Sequence, residues 1–279
     1  MGTLEGFPNP PALWLRRAKP ASAYAGPGLG SDGRNFFLAV TENLVVLLDR
    51  VLPILWPARC AGCNAFVVEG IGFCGQCEVT LVQLGPCCPG CAMPSESGGL
   101  CAGCRRAPFP FVRAFAALAY GGALTQALLR FKHGGHRHLA RPLAANVAPL
   151  LAAAAGQGAE TVCPVPLHPR RLRTRGYNQV FELLRAAGRD VPRDHHLHVL
   201  CDALSRTVDT PTLGHQSPAL RSQIVANAFS VVRPRAVAGK RVLVVDDVMT
   251  SGATLAECAR TLLAAGASQV MVAALARAL

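Results

Sequence analysis

The sequence of 279 residues predicts an α/β fold, a parallel sheet flanked by helices, preceded by a small cysteine-rich module. Two short apolar runs, Thr161–Val165 and Val242–Val245, are typical of buried parallel strands, and a helical pattern follows each of them. Nine of the twelve cysteines lie earlier in the chain, between Cys60 and Cys104. The chain is long enough to bury a core in one large or two smaller domains.

Composition and charge limit the classes of function. The hydrophobic content of 51% is typical of a globular protein, and no stretch predicts a membrane helix. The N-terminus has no charged region followed by an apolar core and a cleavage site, so we expect a cytoplasmic protein without membrane insertion. Residues 109–279 carry +11 of the net charge of +12, which suits a polyanionic substrate and also nucleic acid.

Residues 1–57 contain no motif to which we assign a function. Residues 1–40 are rich in Pro, Gly and Ala without periodicity, which predicts a disordered lead. Residues 41–57 have the pattern of an apolar helix that Thr41 can cap and that ends at Pro53 and Pro57.

A cysteine-rich segment, residues 58–108, contains four C-x-x-C pairs: Cys60/Cys63, Cys74/Cys77, Cys88/Cys91 and Cys101/Cys104. Ten residues separate the first two pairs and nine separate the last two, which predicts a double zinc ribbon with one or two structural Zn²⁺ ions. Disulfides and redox chemistry are alternatives, but a cytoplasmic setting disfavours disulfides. Sequential pairing follows the spacing, crossed pairing stays open, and Cys87 is expected to bind no metal.

From Val112 the pattern becomes α/β. Val112–Tyr120 predicts a strand, and Leu124–Lys132 predicts a helix with Leu128, Leu129 and Phe131 facing the core. The next segment, Phe131–Ala140, concentrates a lysine, an arginine and three histidines, and we interpret it as a basic loop rather than a metal site. The alanine-rich stretch after it predicts one helix through Ala155.

The stretch Arg241–Gly266 carries the strongest functional signal. After the predicted strand come Asp246 and Asp247, and a helical pattern begins a few residues later. The loop between them consists of small and hydroxyl residues, Thr250, Ser251, Gly252, Ala253 and Thr254. Hydroxyls and free N–H groups at a helix start can bind phosphate. Two adjacent carboxylates would repel that phosphate unless they hold a metal or two sugar hydroxyls, so a ribose 5-phosphate suits the whole stretch.

A second basic stretch follows the predicted strand Thr161–Val165. Its four arginines are Arg170, Arg171, Arg173 and Arg175. The exit of a parallel strand is where ligands of α/β sheets bind, and arginine forks suit pyrophosphate oxygens. A solvated surface is the alternative interpretation.

Together these motifs resemble the ComF family of phosphoribosyltransferase-like proteins, named for competence for DNA uptake. The acidic pair and its loop match the phosphoribosyl pyrophosphate (PRPP) motif of type I phosphoribosyltransferases, which is four apolar residues, two acids and T-T/S-G-x-T. The pattern V-P-L-x-x-x-R-x-x-x-R-G-Y-N-Q and the upstream cysteine pairs extend the match over about residues 44–279. His133-Gly134-Gly135 and Pro218 depart from the family pattern.

The resemblance implies a type I phosphoribosyltransferase fold over residues 109–279 and binding of PRPP with Mg²⁺. Residues 206–221 would form a mobile flap over the site. The catalytic residues it implies are Asp246, Asp247, Arg206 and Arg221. The PRPP contacts it implies are Thr250, Ser251, Gly252, Ala253, Thr254, Leu167, His168, Arg170 and Arg171.

Three functions remain open at the level of the sequence. The first is a phosphoribosyltransferase that transfers ribose 5-phosphate to an unidentified acceptor. The second is a DNA-uptake factor that binds single-stranded DNA or PRPP without turnover and works with competence machinery. The third is a PRPP-sensing regulator. Aromatic residues make up 6% of the chain and do not interleave with the arginines, which gives base stacking little support.

Overall fold

Five parallel strands form the central sheet of the protein, and a computed structural model describes residues 58–67, 72–195, 197–210 and 217–279. The predicted disordered lead and apolar helix, residues 1–57, lie outside the described residues. Residues 211–216, in the middle of the predicted flap, also lie outside them.

The described residues form seven strands, β1 (Arg113–Ala119), β2 (Thr161–Pro164), β3 (His198–Val199), β4 (Leu204–Arg206), β5 (Phe229–Val231), β6 (Arg241–Met249) and β7 (Gln269–Arg277). The α-helices are α1 (Gly75–Glu78), α2 (Ala102–Arg106), α3 (Gly122–His133), α4 (Ala140–Ala144), α5 (Ala148–Gly156), α6 (Pro169–Arg175), α7 (Gln179–Ala187), α8 (Pro218–Val225), α9 (Pro234–Val237) and α10 (Ala253–Ala264). Two 3₁₀ turns lie at Arg137–Leu139 and Arg193–His195.

The sheet has the strand order β1-β7-β6-β2-β3, and every neighbouring pair is parallel. β4 and β5 form a separate antiparallel ribbon. The sequence predicts that the strand before the acidic pair ends at Val245, and this is wrong. β6 continues to Met249 because β7 runs beside it over its whole length, with Asp246 opposite Ala274 and Met249 opposite Arg277.

Alternation along β6 divides the core into two layers. Leu243 and Val245 pack with α3, α4, α5 and α7 on one face of the sheet. Val242 and Val244 pack with α10 and the β4–β5 ribbon on the other face. Because strand side chains alternate between faces, a continuous apolar run fills both layers at once. Burial of each such side chain contributes roughly 1.5–3 kcal/mol. This confirms the predicted parallel sheet flanked by helices.

Two predicted helices differ from the structure. In α3, Leu128 and Phe131 are buried as predicted, but Leu129 is 44% exposed, so its predicted inward position is wrong. One residue turns an α-helix by about 100°, which carries Leu129 out of the buried stripe between its neighbours. The alanine-rich stretch that follows is broken into α4 and α5 rather than forming one helix.

Among the described residues, no single helix is long and apolar enough to span a membrane. Two consecutive helical segments, Arg137–Ala144 and Ala148–Gly156, together reach that length and apolar composition, but the chain bends by 54° between them.

The cysteine-rich segment packs against the sheet on three sides. Between its two halves, Leu84 N–H donates to Ala117 O (3.0 Å) and Ala119 N–H donates to Val82 O (2.8 Å), so this segment pairs with the outer edge of β1. Ala61 joins the hydrophobic cluster on one face of the sheet, and Cys88 joins the cluster on the other. A covered edge offers no free N–H and C=O groups for pairing with other chains. The domain boundary at residues 108–109 stays a prediction.

Candidate functional site

The loop between β6 and α10 has the backbone geometry of an anion-binding site. Gly252 stands just before α10 with φ +79°, a conformation that favours glycine. Within the described part of the chain, the N–H groups of Thr250, Ser251 and Gly252 donate to no protein acceptor. Together with Asp246 and the start of α10, the loop encloses a small recess. Free N–H groups at a helix N-terminus are typical of phosphate sites.

A larger cleft of about 650 Å³ opens beside this recess, past the carboxyl ends of β2 and β6. Ligands of parallel α/β sheets bind at this edge. The cleft and the recess share Asp246 and Thr254. The other predicted site residues that line the cleft are Leu167, Arg170, Arg171 and Arg206. It is also lined by Pro166 and Arg175 of the predicted pyrophosphate-binding stretch and by Asp209 of the predicted flap. The remaining lining residues, to which the sequence analysis assigned no role in the site, are Lys132, His133, Gly135, Val165, Thr174 and Gln179.

The two acidic residues have different surroundings. Asp246 is partly exposed and faces both the cleft and the recess. Burial, followed by the charge of Asp247, raises the pKa of Asp246 to about 7. Asp247 is only 4% exposed and lines neither space. Of the pair, Asp246 is the carboxylate available to a ligand.

Asp247 instead joins a network of protein side chains. Lys132 Nζ lies 3.0 Å from Asp247 Oδ2, and Gln179 Nε2 donates to the same oxygen at 3.1 Å. Arg175 in turn donates to Gln179 Oε1. Burial lowers the pKa of Lys132, but the charge and hydrogen bond of Asp247 outweigh it and leave that pKa above the ordinary lysine value. The network ties α3, α6 and α7 to β6 beneath the cleft.

The sequence analysis missed this network. Lys132 lies in the last turn of α3, as the predicted helix Leu124–Lys132 has it, but the sequence analysis gave it no partner and counted it with the basic segment Phe131–Ala140. The signal was present at Gln179, the last position of the matched motif. No local pattern could pair it with Asp247, because the two residues lie on different elements that only the tertiary fold brings together.

The arginines after β2 belong to a short helix, α6. Arg170 and Arg171 lie in the first turn of α6, and His168 is its N-cap, accepting from Arg170 N–H at 3.4 Å. Asp209 lies 3.8 Å from Arg170 and 3.7 Å from Arg171. His168 therefore caps the N-terminus of α6 and is not among the described residues that line the cleft.

The described ends of the predicted flap approach the same arginines. Arg206, at the end of β4, is 8% exposed and donates to the Thr210 hydroxyl, and Arg171 donates to the Thr210 carbonyl. Burial lowers the pKa of the Arg206 guanidinium. Arg221 lies on α8 and is not among the described residues that line the cleft. Arg206 thus lines the cleft together with Arg170 and Arg171, and a role for Arg221 stays a prediction.

The eight cysteines of the C-x-x-C pairs form two four-sulfur clusters in sequential order, Cys60, Cys63, Cys74, Cys77 and Cys88, Cys91, Cys101, Cys104. The Cys63 and Cys74 sulfurs are 3.7 Å apart, and the Cys91 and Cys101 sulfurs are 3.8 Å apart. A tetrahedron of Zn–S bonds of about 2.3 Å has edges of about 3.8 Å. A disulfide would be about 2.05 Å long. Both donor sets fit zinc, and Cys87 belongs to neither.

The two clusters repeat one local structure. In the first, Cys60 N–H donates to Ala65 O and Cys74 N–H donates to Cys60 Sγ at 3.2 Å. In the second, Cys88 N–H donates to Met93 O and Cys101 N–H donates to Cys88 Sγ, also at 3.2 Å. We refer to residues 60–65 and 88–93 as the first and second knuckles. Arg130 of α3 donates to the Cys60 and Ala61 carbonyls of the first knuckle, both at 3.2 Å.

Comparisons with known proteins agree with this architecture. Residues 51–105 match the double zinc ribbon domain, and residues 196–279 match the phosphoribosyl transferase domain. The chain is 32% identical to DNA utilization protein YhgH of Escherichia coli K12 over 231 residues, 80% of this chain and 98% of that protein. It is 37% identical to Competence protein F of Haemophilus influenzae over 122 residues, 43% of this chain and 51% of that protein.

Among solved structures, the glutamine PRPP amidotransferase from B. subtilis is 25% identical with a TM-score of 0.30, over 49% of this chain and 26% of that one. The family assignment depends on the sequence relatives and not on this likeness. A zinc ribbon joined to a phosphoribosyltransferase-type sheet, and similarity over nearly the full length of YhgH, lead to one conclusion. The chain belongs to the ComF family of phosphoribosyltransferase-like proteins.

Proposed function

We propose that this protein binds PRPP with Mg²⁺ in the cleft and transfers ribose 5-phosphate to an acceptor. One observation carries the proposal: the loop whose three N–H groups have no acceptor among the described residues lines a recess, and this recess adjoins the cleft of Arg170, Arg171 and Arg206 at Asp246 and Thr254. In this arrangement the loop would bind a monophosphate and the arginines would bind a pyrophosphate. The Asp246 carboxylate, which faces both spaces, would bind the ribose.

Each part of PRPP has a proposed partner. The 5-phosphate would bind the N–H groups and hydroxyls of Thr250–Thr254. The pyrophosphate would bind Leu167, Arg170, Arg171 and Arg206, where arginine forks can hold several oxygens at once. Asp246 would accept hydrogen bonds from the ribose hydroxyls. Asp247 would act through its contacts with Lys132 and Gln179, which hold the neighbouring elements in place.

The residues present also fit a Mg²⁺ ion. Mg²⁺ is usually bound through one or two carboxylates together with substrate phosphates. Asp246 provides such a carboxylate at the cleft, whereas Asp247 is already neutralised by Lys132. When bound, the ion would supply positive charge to the pyrophosphate oxygens.

Transfer breaks the bond between the ribose anomeric carbon and the pyrophosphate oxygen, and both electrons leave with pyrophosphate. The sugar passes through an oxocarbenium-like state, which the acceptor's lone pair then attacks. Arg170, Arg171 and Arg206 would stabilise the charge that develops on the leaving group. The ribbon β4–β5 and the segment to Thr210 would help to exclude water from the cleft.

Turnover is tested by incubating zinc-loaded protein with PRPP, Mg²⁺ and a panel of nucleobases, and by measuring pyrophosphate release. We expect release with at least one acceptor and a large loss of rate in Arg206→Gln. Arg260→Gln is the matched control, because Arg260 is half-exposed on α10 and pairs only with Glu257 among the described residues. If the protein binds PRPP but releases no pyrophosphate with any acceptor, it is a PRPP-binding protein and not a transferase.

A second candidate function is binding of single-stranded DNA without turnover. The names of the relatives refer to DNA utilization and competence, and residues 109–279 carry a charge of +11. The test is a salt-dependent gel shift with Arg171→Glu and Arg173→Glu. Arg171 lines the cleft, whereas Arg173 is exposed on α6 and does not. DNA binding along the basic surface should be weakened by both changes, and PRPP binding mainly by Arg171→Glu.

A further inference from the structure

Arg277 is a buried cation at the end of β7, only 7% exposed, and it connects two parts of the molecule. Its Nε donates to the Cys91 carbonyl of the second knuckle at 2.8 Å. Its Nη1 donates to Met249 O at 2.9 Å, to Ala278 O at 2.6 Å, and to the Thr250 carbonyl. We refer to Thr250–Thr254, the proposed 5-phosphate site, as the phosphate loop. One guanidinium therefore contacts both the second knuckle and the start of this loop.

These contacts fix the direction of the loop's donors. In a planar trans peptide, the C=O and the N–H of the same unit point in opposite directions. The carbonyls of Met249 and Thr250 belong to the same peptide units as the N–H groups of Thr250 and Ser251. The Met249 carbonyl also accepts from Ala278 N–H at 3.0 Å, whereas Arg277 is the one donor to the Thr250 carbonyl among the described residues. Holding the two carbonyls in this way turns the Thr250 and Ser251 N–H groups away from Arg277, and they are two of the three that have no protein acceptor among the described residues.

A second contact joins the same two regions. A Cβ added to Gly252 would lie 2.9 Å from the Met249 side chain and 3.1 Å from Phe109. Phe109 stacks on Phe111 at 4.8 Å, and Phe111 belongs to the hydrophobic cluster that includes Cys88 and Cys104. The phosphate loop thus contacts Arg277 and lies close to an aromatic pair that belongs to the same hydrophobic cluster as Cys88 of the second knuckle.

We propose that Arg277 is a positioning residue that directs the phosphate loop's N–H groups and makes their placement depend on the second zinc knuckle. This rests on the proposed function, because it assigns the loop to a 5-phosphate. The first knuckle contacts α3 through Arg130 and has no comparable contact with the loop among the described residues.

Two probes separate this role from a general loss of structure. Ribose 5-phosphate reports on the loop, and inorganic pyrophosphate reports on the arginines of α6. In Arg277→Lys, which keeps the charge but loses the fork, we expect ribose 5-phosphate to bind about tenfold more weakly and pyrophosphate to bind unchanged. Arg260→Lys is the matched control on the surface of α10.

Calorimetric titration at a temperature where every variant is folded distinguishes the outcomes. Unchanged ribose 5-phosphate affinity in Arg277→Lys overturns the proposal, and so does an equal loss for both probes, which would indicate a purely structural role. If the wild type binds neither probe, the proposed function is wrong, and this inference, which rests on it, is wrong as well.

A measurement on the wild type keeps the proposal testable if Arg277→Lys does not fold. Coupling between two sites is reciprocal, so a ligand in the loop must stabilise the knuckle that supports it. We expect ribose 5-phosphate to slow chelator-driven alkylation of the second cysteine cluster and not of the first, as measured by mass spectrometry. Equal protection of both clusters, or of neither while ribose 5-phosphate is bound, contradicts the proposal.

Discussion

At the scale of single residues, Asp246 and Asp247 show how neighbours in sequence come to have different tasks. Strand side chains alternate, so one carboxylate faces the cleft and the other turns towards Lys132 and Gln179 on helices of the opposite layer. The first is available to bind a ligand, and the second stabilises the packing of helices around it. This division predicts different consequences for two chemically identical substitutions.

Asp246→Asn and Asp247→Asn should both weaken PRPP binding, but only Asp247→Asn should clearly lower stability. Removing the Asp247 charge leaves Lys132, whose side chain is 24% exposed, without its counter-charge, at a cost of about 1–3 kcal/mol. Asn at 246 keeps an oxygen that can accept from the 247 N–H, a bond of 2.8 Å in the wild type. Loss of hydrogen bonds from Asp246 to ribose should weaken PRPP at least about tenfold.

Melting curves alongside calorimetric titration check both parts of this prediction. The matched control is Lys132→Met, alone and combined with Asp247→Asn. If Asp247 stabilises through Lys132, the double variant should lose less than the sum of the single losses. Additive losses would contradict the pairing, and unaltered PRPP affinity in Asp246→Asn would contradict its role.

The raised pKa of Asp246 predicts a pH dependence of stability. The folded protein holds this proton up to about pH 7, whereas the unfolded chain releases it near the ordinary value of 3.8. Between these values the folded state binds more protons, so the free energy of unfolding contributed by this group falls as pH rises through the window, by at most about 4 kcal/mol.

Comparison of wild type with Asp246→Asn isolates this contribution, because other titrating groups are shared. In ligand-free protein, the melting temperature of the variant should rise relative to the wild type between pH 5 and pH 8. A difference that stays constant over that range, or one that changes in the opposite direction, would disprove the raised pKa.

At the scale of elements, Gly252 is where the phosphate loop meets the rest of the fold. Gly252→Ala introduces a Cβ at positive φ and within 3.1 Å of Phe109. Gly239 has a similar φ of +73° and no atom within 4 Å of an added Cβ, so Gly239→Ala carries the backbone strain alone. We expect Gly252→Ala to lose more stability and to weaken PRPP binding, and Gly239→Ala to leave that binding unchanged. Equal effects on both would show that the contacts around Gly252 are unimportant.

The two cysteine clusters predict two zinc ions per chain. Protein purified without added zinc should contain about two equivalents, and their removal by chelator should unfold the cysteine-rich segment, since structural zinc contributes on the order of 10 kcal/mol. Metal analysis with thiol counting decides this. Less than half an equivalent, with the cysteines oxidised to disulfides despite reducing lysis, would contradict the assignment.

The parts of the site that the sequence predicts are those encoded locally. Thr250–Thr254 and the C-x-x-C pairs each lie within one short segment, so their spacing alone indicates the chemistry. Lys132, Gln179 and Arg277 could not be found in this way, because their partners lie on other elements. Arg277 did carry a weak signal, since it is the one charged residue within the apolar run Val270–Arg277. The length of β6 was also mispredicted, because its pairing with β7 overrides the local change from apolar to acidic residues.

At the scale of the whole molecule, the cysteine-rich segment supports the sheet from both faces and along the β1 edge. The first knuckle contacts the helix that carries Lys132, and the second contacts the arginine that holds the phosphate loop. The ribbon therefore contacts two of the elements that surround the proposed PRPP site, α3 and the end of β7. Removal of residues 1–108 would expose an apolar edge, so substitutions are the better way to test the site.

The central claim is that one cleft holds PRPP across its two anion-binding ends, and calorimetric titration of PRPP with Mg²⁺ into zinc-loaded wild-type protein tests it most directly. We predict saturable binding of one PRPP per chain, competition by both ribose 5-phosphate and pyrophosphate, and weaker binding in Asp246→Asn but not in Arg260→Gln. Absence of saturable binding in folded protein, or binding that neither competitor displaces, would contradict the account.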